Sequence, residues 1–217
     1  MPSRLSIYNG ALRICGERRL ASLTENVKAR HELDAVWNDG EGVKQCLEAA
    51  PWKFAKRSDR LDPDPDFTRQ FGYQYGYRKP DDFALTISVA QDEYFRGGFD
   101  QYEDEAGWWY ADIQPIYVQY VSTDTGYGMD LSLWPARFTE YVETFFASKV
   151  VFTLTGDKAK HEGIAKPRGG LLAVKLSEAK SQDAFGGPAK FPAQGSWISA
   201  RRGRSGGDRY GGGSLTS

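Results

Sequence analysis

Apolar residues recur at helical spacing in four parts of the chain and alternate with polar ones between them. Leu5, Tyr8, Leu12 and Cys15 fall on one face of a helix, and Gly16 follows where a helix commonly ends on a residue free to take positive φ. A short first helix is expected there. From Asn26 onward Leu33, Val36, Val43, Leu47, Ala50 and Phe54 stand at steps of three, four or their sum, which predicts a long second helix. Gly40 and Gly42 interrupt it at about 1 kcal/mol each relative to alanine, and Pro51 ends or kinks it.

Between Ala55 and Gly128 the texture changes. Pro63, Pro65, Pro80 and Pro115 break helices, and Phe83, Leu85, Ile87 and Val89 alternate with Ala84, Thr86 and Ser88 as one half-buried strand. Ile116, Val118 and Tyr120 alternate likewise, and the acidic, aromatic run DQYEDEAGWWY is expected at a tip. A third helix opens near Pro135 and carries Phe138, Val142, Phe145, Phe146, Lys149 and Phe152. GDKAKHEGIAKPRGG reads as a break, and Leu172, Leu176 and Ala179 give a weaker fourth helix that stops at Phe185-Gly186-Gly187-Pro188. The expected class is α+β: a mainly helical bundle of about four helices, residues 1–54 and 130–185, with an inserted antiparallel β-rich subdomain, 55–129, and an extended C-terminal arm, 186–217.

Catalytic chemistry finds little support. Histidine is the usual base near neutral pH, and the chain has two, His31 beside Arg30 and Glu32, and His161 in a charged loop. Both read as solvated residues, and no G-x-S-x-G, HExxH or Walker pattern occurs. LDPDPDF sets Asp62, Asp64 and Asp66 at alternate positions like the start of a calcium loop, but Phe67 replaces the glycine such a loop needs, so a polar turn is expected. Asp100, Glu103, Asp104, Glu105 and Asp112 beside Trp108 and Trp109 supply carboxylates for a glycoside hydrolase, with nothing to set two of them face to face. Neither a cofactor nor a metal is expected.

Charge and composition alter this picture at the C-terminus. The net charge of −1 is unevenly spread, for beyond Gly186 Lys190, Arg201, Arg202, Arg204 and Arg209 face a single Asp208. That segment carries +4 and the body −5. So small an excess supports weak, sequence-independent DNA binding at most. Cys15 and Cys46 follow no disulfide or CxxC spacing and read as buried residues of a reducing compartment; no stretch approaches 18 apolar residues, so neither membrane spanning nor secretion by signal peptide is expected. The Gly-rich end buries too little apolar surface to fold alone, yet Phe191, Trp197, Ile198 and Tyr210, with Arg201, Arg202 and Arg204 between, are residue types that anchor interfaces. It is expected to gain order on a partner. Aromatic richness without a catalytic set is read the same way, as contact surface.

The opening SIYNGALRICGERRLASLTEN, a long helix ending in PWKFA, a β-rich middle, LSLWPARFTEYVETFFASKV and a GSW-containing end occur in an order that resembles the tail tubular protein A family of tailed bacteriophages, the head-to-tail adaptors. The likeness covers most of the chain, the arginine-rich end least. It implies a structural virion protein, not an enzyme, made in the host cytoplasm and placed in the neck of the particle as a homo-oligomeric ring of twelve. In such a ring the C-terminal anchors reach the portal protein, and the β portion, with Trp108, Trp109 and Tyr110, meets the nozzle protein (tail tubular protein B-like) or the tail fibre. Double-stranded DNA passes through the lumen without specific binding; an acidic body repels phosphate.

Overall fold

The fold was described from a computed structural model, which describes residues 2–39, 41–67, 72–96 and 98–185. Among them the chain is mixed α+β, with six helices and two antiparallel three-stranded sheets. Helix α1 (Arg4–Cys15) opens on a capping box, in which Ser3 accepts from the Ser6 amide and the Ser6 hydroxyl accepts from that of Ser3, and it closes on Gly16 at φ 74°. Its buried stripe of Ile7, Tyr8, Ala11, Leu12 and Cys15 packs on α4 (Ala136–Thr155). Helix α4 follows Pro135 as expected and turns Phe138, Tyr141, Val142, Phe145, Phe146, Val150 and Val151 into the core.

The long second helix is replaced by three pieces: α2 (Lys28–Asp34), a π-helical turn (Ala35–Asp39) and α3 (Gly42–Glu48). The cause lies at the junction. Glu41 takes φ 46°, and Gly42 lies so close to Val36 that a Cβ there would meet its carbonyl oxygen at 2.8 Å and the Phe146 ring at 3.1 Å. A continuous helix cannot make that approach, although Leu33, Val43 and Leu47 still reach the core. Asp34 joins α2 to α1: it accepts from Arg4 and Arg30, each at 2.6 Å, and from the Tyr8 hydroxyl at 2.8 Å. Arg4 also lies over the Tyr8 and Trp37 rings.

The stretch expected as a break contains a helix, α5 (Lys158–Ala165), capped by the Asp157 carboxylate and ended before Pro167. Ile164 alone of its side chains is buried, too little periodicity to read. Helix α6 (Leu171–Phe185) completes the helical layer, packing Leu172, Leu176 and Ala179 inward. Lysines from elsewhere in the chain donate to carbonyls at three helix ends: Lys160 to Cys15, Lys28 to Thr153, and Lys53 to Asp183 and Ala184.

The β strands are β1 (Lys56–Leu61), β2 (Tyr75–Arg78), β3 (Phe83–Ala90), β4 (Tyr102–Glu105), β5 (Trp108–Ala111) and β6 (Ile116–Ser122). One sheet runs β1-β6-β3 and the other β2-β5-β4. Strand β3 differs from the expected single-faced strand. Register shifts between Phe83 and Leu85 and between Thr86 and Ser88 turn it over twice. Phe83 and Val89 therefore join the cluster between the sheets, with Trp109, Ile116, Val118 and Tyr120, while Ala84, Leu85 and Ile87 pack with Val121 on the helical core. Helices, first sheet and second sheet form three layers of one compact unit, Met1–Ala184.

Two of the tryptophans serve the core and not a contact surface. Trp52 and Trp134 are buried against Phe138 at ring distances of 4.9 and 5.0 Å, with their indole N–H groups donating to the carbonyls of Cys46 and Gly128. At the first sheet's rim, Asp82 accepts from Arg57, Tyr120 and Ser122, which fixes the turn before β3 to β1 and β6.

Candidate partner-binding face

Strands β4 and β5 meet through a two-residue turn, Ala106 at φ 27° and Gly107 at φ 90°. Both left-handed positions match the twist of the flanking strands, and glycine takes the second without strain. Pairing then fixes which side each residue occupies. One side carries two rows across three strands, Gly76–Tyr110–Glu103 and Arg78–Trp108–Glu105. The other side carries Tyr77, Trp109 and Asp104 in register.

The second row set is sealed. Trp109 is fully buried, stands 5.3 Å from Phe83 edge to face, and donates its indole N–H to Thr86 of the neighbouring sheet. The expectation that Trp109 touches a partner is therefore corrected: it joins the two sheets of its own chain. Thr86 in turn donates to Asp104, which also pairs with Lys79. Burial opposes ionisation of Asp104, but these bonds and the lysine charge outweigh it and hold the carboxyl below its ordinary range. The Tyr77 hydroxyl donates to the Ile113 carbonyl, and burial pushes its pKa up to about 12.

The outward rows make the candidate face. Trp108 and Tyr110 are half-buried, and the Phe67 ring lies 5.7 and 5.3 Å from theirs. Gly76 admits that ring, since a Cβ would meet it at 2.7 Å. Glu103 and Glu105 are exposed on the far strand. The face is a three-ring aromatic platform with Glu103 and Glu105 exposed at its edge, suited to a protein surface that brings apolar groups. Phe67 carries no motif of its own; the signal that marks it is Gly76 opposite an aromatic strand.

The other described residues singled out in the sequence are spread over several elements. In the DPDPDF turn the Asp64 amide donates to the Gly76 carbonyl and the Asp66 amide to the Asp64 carboxylate. Among the described residues no three potential ligands group around a common point. His31 contacts Asn26 and Arg30, and the His161 ring lies 6.3 Å from Phe152. Glu103 and Glu105 lie exposed side by side along β4. Cys15 and Cys46 are buried, and burial pushes the Cys15 thiol up to about 11 and that of Cys46 upward too, away from thiolate chemistry. Among the described residues no helix is long and apolar enough to cross a membrane.

Phe191, Trp197, Ile198, Arg201, Arg202, Arg204 and Tyr210 lie outside the described residues. The point from which that segment departs is described: the Asp183 carboxylate accepts from the Lys53 amide at 3.0 Å, and the Lys53 ammonium reaches the last carbonyls of α6. No protein-family model matches the chain, and no curated protein sequence matches it.

Proposed function

We propose that this chain is a structural virion protein, the subunit of an adaptor ring that joins the capsid portal to the tail nozzle and forms part of the DNA ejection channel. The observation that carries the reading is the aromatic platform of Phe67, Trp108 and Tyr110 on the outward side of the β2-β5-β4 sheet, whose inner side packs on the first sheet. Its support is the ordered likeness to the tail tubular protein A family. In this reading the platform meets the nozzle protein or fibre, and Phe191, Trp197, Ile198, Tyr210 and the arginines between them meet the portal. The acidic body leaves DNA ungripped in the lumen.

Purified full-length chain mixed with portal protein and viewed by electron microscopy is expected to show rings seated on the portal. A chain that stays monomeric and unattached in that mixture overturns the reading.

A further inference from the structure

The cleft between α1 and α4 contains a residue that core packing does not account for. Ser6, Asn9, Gly10 and Arg13 line it from α1, Glu143 from α4, and Arg19 from the loop after α1, around a cavity of about 310 Å3. The Glu143 side chain is 14% exposed and lies directly against Gly10, in space that a Cβ at that position would take. Its pairing is loose: Arg13 Nη2 stands 3.6 Å away on a side chain that is 65% exposed. A carboxylate buried with so little compensation costs stability, and groups of that kind gather at binding sites.

The surrounding groups limit what the cleft accepts. Asn9 is committed, since its side chain exchanges two hydrogen bonds with the backbone of Leu20 and so holds the loop that places Arg19. Ser6 is committed to the capping box. Glu140, one turn before Glu143 on the same helix, is engaged by Lys175 and Arg137. Arg19 is exposed and forms no ion pair among the described residues. Arg13, Arg19 and the sheltered carboxyl of Glu143 are left on the lining of the cavity.

We infer that this cleft binds a small oxyanion, held by the guanidiniums of Arg13 and Arg19 beside Glu143. Forked guanidinium donors match the oxygens of a carboxylate or sulfate, and a neutral Glu143 adds a donor where an ionised one repels. Burial favours the neutral form of Glu143, Arg13 opposes it and Glu140 reinforces it, leaving the pKa raised. An anion that draws Arg13 toward itself raises it further, so binding takes up a proton and strengthens on acidification. The inference stands independently of the adaptor reading.

Sodium sulfate is the probe, because sulfate keeps its charge throughout an acid-to-neutral titration and any pH dependence then belongs to the protein. Full-length protein is titrated at fixed ionic strength and followed by calorimetry. Saturable binding is expected, several-fold tighter at the acid end, and weakened about tenfold or more in R13A/R19A, which loses two charge-assisted donors. Both arginines are surface side chains, and circular dichroism checks that the variant is folded. E143Q is expected to bind with little dependence on pH. Unsaturable heats, equal binding by R13A/R19A, or a wild-type affinity that ignores pH overturns the inference.

Discussion

Asp34 and Glu143 show how two carboxylates on neighbouring helices acquire opposite pH behaviour. Burial disfavours ionisation of both, but Tyr8, Arg4 and Arg30 outweigh it at Asp34 and hold its pKa low. That contribution is present above the unfolded value of about 3.9 and is lost as pH falls through the lower folded one. Glu143 has its pKa raised, so its contribution is present below the unfolded value of about 4.3 and is lost as pH rises through the folded one. E143Q is therefore expected to raise the melting temperature at neutral pH and to change it little near pH 4, where the native residue is already neutral. Thermal melts across that range check the sign; a variant less stable than wild type at neutral pH contradicts it. Asp34 and Glu143 carry no motif, and their roles were illegible in the sequence because each depends on which residue a second helix brings opposite.

At the scale of elements, legibility followed how much of an element's shape its own sequence decides. Helices α1 and α4 were readable because a wide apolar stripe, a starting cap or proline and a terminal glycine all lie within them. Helix α5 was not, since one buried isoleucine supplies no period. The break after α2 comes from Gly42 lying against Val36 and Phe146, a contact made in space. Strand β3 was read as a strand, but its faces were not, because its two register shifts are set by pairing with β6. Adjacent strand residues point to opposite sides, so Trp108 and Trp109 were separable in principle; small Ala111, two residues on, marked the inner side. Trp109 holds the sheets together through Phe83, Tyr120 and Thr86. Trp109→Ala is expected to cost about 3–5 kcal/mol. Denaturant unfolding measures it, and a loss under about 1 kcal/mol, as at a surface site, shows that the sheets do not depend on that side chain.

For the whole molecule, the contrast between a −5 body and a +4 C-terminal segment was plain in the sequence, and the three-layer arrangement was not. The likeness to tail adaptors rests on the order of elements, and its partner assignments divide into a described aromatic platform and anchors beyond the described residues. Under the adaptor reading, Trp197→Ala is expected to weaken attachment to the portal by about 2 kcal/mol, against about 0.2 to 1 kcal/mol for any single arginine change. A pull-down series with portal protein ranks them, and attachment unaltered by the tryptophan change removes it as an anchor.

The bonds from Lys53 to the final turn of α6 give that terminus a mechanical character. Tension on the chain beyond Phe185 does not simply unwind a helix from its tip: the ammonium and amide of Lys53 pass the force to main chain three residues ahead of β1, and so to a strand paired along its length with β6.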